Sequence, residues 1–230
     1  MASAPDLEGF DPGIRTIWQA AHASNFTAAG SPWYDQVNEP VALVFHTPEE
    51  PWDDNESTPN WFANPASNAS THYYSDSDGD LYQMVRDRDC AWAQGTASWN
   101  RVLPRPAWYK TSKRSENCQA LSIEVEGFAR SIGRTFLVGG PQFNSVVAWA
   151  AFKAKQYSIP VDRAHFNAHS EIATNKSDPG QDWPWDAFLA AVKRRIAADA
   201  NFTDPGTLDD RVSDLETWRD FHTVDPNAHS

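Results

Sequence analysis

Two histidines, a lysine, an aspartate and a glutamate carry the chemistry that is legible in this chain. His169, Lys176 and Asp178 fall in one short stretch, Ala168–Gly180, which closes on Pro179-Gly180 and reads as a loop. His46 follows the apolar run Val41–Phe45. Two imidazoles and one carboxylate leave the fourth position of a tetrahedral metal open. Catalytic zinc uses that arrangement, with Zn–N distances of roughly 2.0–2.1 Å. Lys176, two residues before Asp178, puts an ammonium beside such a metal, where it stabilises an oxyanion. Glu124 adds a carboxylate that takes a proton from an activated water and passes it to a leaving nitrogen. Such a set suits metal-assisted hydrolysis. Other readings of single residues stand beside this one. A histidine ending an apolar strand is also a common structural residue, Glu126 shares a strand face with Glu124, and His165 pairs with His169 only on a helix, which the pattern there does not support.

These groups need elements to hold them. Val41–Phe45 is a continuous apolar run of strand length and predicts a buried central strand with His46 at its carboxyl end, where α/β proteins bind ligands. Ala120–Glu126 alternates with period two, so Ser122, Glu124 and Glu126 face one way. Thr71–Ser75 and Asp80–Val85 flank the turn Asp76-Ser-Asp-Gly79 and predict a hairpin. The turn resembles part of a calcium loop but lacks the downstream glutamate. Apolar residues at helical spacing predict helices over 142–157 and 184–199, with a short one after Thr58-Pro59, Thr58 being its cap, and another over 12–23. Residues 96–117 form a long loop rich in Trp, Pro and basic residues, a type that is often functional. Residues 207–221 place Leu208, Val212, Leu215 and Trp218 on one helical stripe. That stripe docks on the domain or, alternatively, forms a homo-oligomer contact. The class is α/β: a central mixed β-sheet flanked by helices, with the zinc site at the sheet edge.

Composition narrows the partners. With 19 Lys and Arg against 31 Asp and Glu the net charge is −12, and no basic stripe appears, which argues against nucleic acid. No apolar run approaches the roughly 20 residues of a membrane span. The acidic start Met1–Glu8 does not read as a secretory signal, so synthesis in the cytoplasm is expected. The two cysteines, Cys90 and Cys118, are expected as buried free thiols on that account, with one disulfide as the alternative.

Seven blocks in order resemble the zinc amidase family that includes N-acetylmuramoyl-L-alanine amidases, phage endolysins and peptidoglycan recognition proteins. They are Val44-Phe-His46-Thr, Trp61-Phe-Ala-Asn-Pro65, Ser70-Thr-His-Tyr73, Asp78–Val85, Cys90-Ala-Trp92, Ser122–Gly127 and His169–Gly180. His22–Phe26 is similar to the lead-in of phage and actinobacterial members. The resemblance spans about residues 15–195. It implies Zn2+ on His46, His169 and Asp178, a catalytic Glu124 and a transition-state-stabilising Lys176. It implies cleavage of the amide between the lactyl group of N-acetylmuramic acid and L-Ala of peptidoglycan or muropeptides.

Residues 1–204 then form the catalytic domain, with 1–40 an irregular lead-in, and 205–230 a C-terminal helix and tail. Trp92, His72 and Asn117 are the candidate substrate contacts, though His72 inside a strand also reads as a buried, hydrogen-bonded histidine. Many family members have Trp-His-Ala-Gly where this chain has Trp92-Ala93-Gln94-Gly95, so contacts along that wall differ. The expected role is a phage or prophage endolysin acting on the cell wall after holin-dependent release. The alternatives are a peptidoglycan-binding module without hydrolysis and a cytosolic muropeptide-recycling amidase.

Overall fold

The computed structural model describes residues 4–31, 37–54, 56–95, 106–108 and 115–201. Residues to Arg195 cluster as one compact unit and those from Ile196 as a second, of which only the end of a helix is described. The long loop 96–117 falls mostly outside the described residues. The domain end at 204 and the stripe of 207–221 fall there entirely.

Six strands make the main sheet, in the order β1 (Thr16–Trp18), β5 (Leu81–Gln83), β4 (Tyr73–Ser75), β7 (Ala120–Val125), β3 (Ala42–His46) and β8 (Phe166–Ala168). β2 (Phe26–Thr27) and β6 (Cys90–Ala91) pair separately. The four strands β4, β7, β3 and β8 run parallel, β5 is antiparallel to β4, and β1 is parallel to β5. The sheet is therefore mixed. β3 lies inside it with every residue buried, which is why its sequence is apolar without alternation.

Period-two pleating assigns the two faces. Phe45 packs against Trp149 of α3 (Pro141–Tyr157) and Phe188 of α4 (Trp185–Asn201), with ring centroids 6.2 and 5.2 Å apart. α2 (Ile132–Thr135) leads into Phe136, which stacks on Trp183 at 4.3 Å. On the opposite face Ala42, Val44 and Ala120 pack with Trp108 and Ile172. Beside them Ile17, Tyr74 and Tyr82 pack with Phe62 of α1 (Ser57–Phe62). Helices thus flank both faces of the sheet.

Three expectations need correction. Residues 12–23 do not form a helix; Thr16–Trp18 is edge strand β1, because Ile17 finds a buried place on the sheet that a solvent-facing helix of this sequence lacks. Thr58 lies inside α1 and donates to Glu50 Oε2 at 2.7 Å instead of capping the helix. Cys90 and Cys118 are joined in a disulfide: β6 and the turn before β7 bring their Cα atoms to 4.8 Å, a proximity that spacing along the chain does not reveal. The hairpin turn is as expected, with the Asp80 amide donating to Asp76 Oδ1 at 2.8 Å. Gly79 has φ +86°, and a Cβ there would lie 2.8 Å from the Pro141 carbonyl oxygen, so the turn needs glycine.

α3 carries a buried cation. Lys153, with no exposed surface, donates to Asp87 Oδ2 at 2.5 Å and to the Asp6 carbonyl at 2.7 Å. The same carboxylate accepts from Tyr73 and Tyr157 hydroxyls at 2.6 and 2.8 Å. The Asp87→Ala variant, which strands the ammonium, is expected to lose roughly 3–5 kcal/mol of stability. Urea unfolding checks this, and a loss below about 1 kcal/mol would mean the network is dispensable.

Candidate active site

The sheet delivers its carboxyl edge to one place. β3 ends on His46, and β7 lies beside it with Glu124 in register opposite His46. On the other side of β3, β8 ends at Ala168 and His169 follows at once. Ligand sites of open α/β sheets form at such strand ends. The loop from His169 folds back on itself: the Ser170 amide donates to the Asp178 carbonyl at 3.0 Å, and the Gly180 amide to the Ser177 carbonyl at 3.0 Å. Gly180 has φ +103°, and a Cβ there would meet the Ala129 carbonyl oxygen at 2.1 Å. Glycine lets this loop close against the segment that follows β7, and so returns Asp178 to the strand ends.

The outcome is a triangle of donor atoms. His46 Nδ1 and His169 Nδ1 lie 3.0 Å apart, and Asp178 Oδ2 is 3.2 Å from the first and 3.0 Å from the second. All three residues are buried. Among the described residues they are the group of three able to hold a metal ion. A tetrahedral ion with bonds of roughly 2.0–2.1 Å has donor–donor edges near roughly 3.3 Å, so the triangle is close to one face of such a site. Burial, then the adjacent His169, pushes the His46 pKa down to about 4, which leaves its imidazole neutral and able to donate a lone pair at pH 7. Burial on its own raises Asp178, but hydrogen bonds from His169 and His46 outweigh it and hold the carboxyl below the usual carboxylate range. The other ring nitrogen of His169 faces the Gln94 carbonyl at 3.4 Å, the outer contact that fixes which nitrogen turns inward.

Glu124 and Lys176 line the same cleft as the triangle, a space of about 420 Å³. Glu124 Oε2 is buried and has no hydrogen-bond partner. Burial, then the Asp178 carboxylate, pushes the Glu124 pKa well above the ordinary range, and Lys176 pulls it back. Glu126 is differently employed: its carboxylate accepts from the Asp54 amide at 2.6 Å and the Ser77 amide at 2.5 Å, away from the cleft. His165 pairs with Asp162 at 2.7 Å and lies outside the donor triangle.

Of the three candidate substrate contacts, only Trp92 lines the cleft. His72 is fully buried, 3.0 Å from both Ser122 Oγ and the Asp89 carbonyl oxygen, and does not line the cleft. Asn117 is likewise buried; its Oδ1 accepts from the Ala93 and Gln94 amides at 3.2 and 2.9 Å and shapes the wall from behind. Trp61 also lines the cleft and was not singled out as a site residue. Its signal was the spacing on α1: Thr58, Pro59 and Phe62 turn inward, which leaves Trp61 outward.

Fold and site together define an α/β protein with a three-donor metal-type site in a cleft at the carboxyl ends of its parallel strands. Within that class the chain belongs to the N-acetylmuramoyl-L-alanine amidase family, whose model matches residues 36–181. Among solved structures, the catalytic domain of XlyA is similar with TM-score 0.55 at 17% identity, covering 78% of this chain and 99% of that one. A mutant endolysin from Bacillus subtilis is similar with TM-score 0.54 at 14% identity, covering 78% and 99%. An AmpD derivative follows with TM-score 0.53 at 20% identity, covering 83% and 99%. At such identities these structures establish a shared fold. No curated protein matches the chain.

Proposed function

We propose that this protein is a zinc-dependent N-acetylmuramoyl-L-alanine amidase that cuts the lactyl–L-Ala amide of peptidoglycan, and that it serves as a phage or prophage lysin of the cell wall. The observation that carries the enzymatic reading is the donor triangle of His46, His169 and Asp178 sharing one cleft with Glu124 and Lys176, in a chain of this family. A zinc ion held there would act as a Lewis acid and lower the pKa of a water it coordinates toward roughly 7.

The chain's own groups supply the rest. Glu124 accepts a proton from the attacking water and returns it to the leaving nitrogen of L-Ala. The water oxygen joins the carbonyl carbon, the C–N bond breaks, and the products are a lactyl carboxylate and a free amine. Lys176 offsets negative charge on the carbonyl oxygen during attack. It also opposes the burial that disfavours an ionised Glu124, so one ammonium supports both groups.

Mass spectrometry of purified murein after digestion, with and without chelator, tests this reading. The expected products are free stem peptides starting with L-Ala, formed without chelator only. Intact glycopeptide in both arms would leave a binding module instead. Faster turnover of soluble muropeptides than of intact sacculi would replace the lysin role with recycling.

A further inference from the structure

Two tryptophans stand on the walls of the reaction cleft with their indoles reaching solvent: Trp61, 51% exposed, and Trp92, 38% exposed. Single exposed apolar side chains are ordinary. These two share one cleft with His46, Glu124 and Asp178, and the chain around each is held in place. Next to Trp61, Phe62 is buried in the core, and its carbonyl accepts from the His22 amide at 2.9 Å and Asn25 Nδ2 at 3.0 Å. Asn25 Nδ2 also reaches the Asn64 carbonyl at 2.8 Å. Trp92 Nε1 donates to Thr27 Oγ1 at 3.0 Å, and β2 pairs with β6 just before it. One segment, residues 22–27, therefore holds the Trp92 indole directly and anchors the backbone on the C-terminal side of Trp61. A rigid aromatic presented to water loses little conformational entropy on binding, which suits it to be a recognition surface.

We propose that Trp61 and Trp92 form the glycan side of the substrate groove, where their indole faces stack on the apolar C–H face of a pyranose ring. This rests on the amidase reading above. The two halves of the scissile bond differ in chemistry. The acyl half carries a sugar ring with an apolar face and a polar rim, which an indole with its N–H engaged elsewhere matches. The amine half begins with the methyl side chain of L-Ala and continues as peptide, with no comparable face. A smaller pocket of about 220 Å³ adjoins the cleft across Trp92 and His169 and includes Gln94 in its lining. Both polar atoms of the Gln94 side chain are buried without a hydrogen-bond partner. An amide-lined pocket suits the peptide half; Trp92 borders both spaces, and Trp61, which lines the cleft and not this pocket, marks the sugar side.

The test uses the zinc-loaded enzyme on a soluble disaccharide-peptide, with the free disaccharide and the free stem peptide as competing inhibitors. For Trp61→Ala, KM and the inhibition constant of the disaccharide are expected to rise about tenfold, or about 1.4 kcal/mol. The peptide's constant, kcat within about twofold, and the melting temperature are expected to stay, because the removed side chain is outward. Trp61→Phe keeps a ring face and should recover most of the loss. Trp52→Ala, at a comparably exposed indole that does not line the cleft, should change nothing. An unchanged disaccharide constant in Trp61→Ala, or a peptide constant that rises with it, overturns the proposal while leaving the amidase reading intact. A wild-type enzyme that releases no peptide overturns the amidase reading itself.

Discussion

Glu124→Gln is expected to fold normally, bind substrate and turn over roughly 10²–10⁴ times more slowly than wild type. The side chain sits in register beside His46, with one carboxylate oxygen buried and unpartnered. Glutamine keeps its size and shape and removes only the ability to accept and return a proton. Because burial already favours the uncharged carboxyl, a neutral amide should cost the fold little. The melting temperature should therefore hold or rise while kcat falls. Glu126→Gln gives the contrast. That carboxylate accepts two backbone amides, so its loss should appear in stability, with kcat preserved. Steady-state kinetics and thermal melting of the two variants decide the matter. A Glu124→Gln enzyme within about threefold of wild-type kcat would remove Glu124 from the mechanism.

The second large effect is expected at the donor triangle. His169 Nδ1 stands 3.0 Å from both other donors, so His169→Ala leaves two ligands that no longer enclose a position. Losing an outer partner of a metal ligand costs roughly 10- to 100-fold in affinity, and losing the ligand itself should exceed that. Zinc content measured on purified protein should fall from near one per chain to a small fraction, and hydrolysis should go with it. Stability gives a readout independent of activity. An ion at about a thousand times its Kd adds about 4 kcal/mol to the folded state. Chelator should thus lower the melting temperature of wild type and leave that of His169→Ala where it is. Zinc-loaded, active His169→Ala protein would sink the assignment of this triangle.

How much of this was legible beforehand depended on how local the cause was. The buried strand announced itself because parallel neighbours on both sides demand an apolar run, and Val41–Phe45 is one. The loop His169–Gly180 was legible because Pro-Gly stops and a clustered His, Lys and Asp are local signals. Glu124 was separable from Glu126 only by resemblance, since strand alternation puts both on one face. The structure parts them by what surrounds each: a cleft for one, two backbone amides for the other. His72 and Asn117 raise a similar question: both are buried and hydrogen-bonded away from the cleft lining. A polar side chain in a family motif can serve the substrate or serve the scaffold, and only its hydrogen-bond partners tell which.

The chain by itself therefore determined the class of fold and the elements at its centre, because those follow from periodicity and turn chemistry, and with the family resemblance it nominated the three residues that the structure brings together. Tertiary structure decided the rest. It put Thr16–Trp18, inside the expected helix 12–23, on the sheet as an edge strand, since a vacant sheet edge can outweigh local helical pattern. It brought Cys90 to Cys118 and Trp61 to Trp92's cleft, juxtapositions set by strand order, not by spacing. Above all it drew His46, His169 and Asp178 to about 3 Å of one another across 123 and 9 residues of chain. Sequence could name those donors, but only a packed sheet could aim them at a single point.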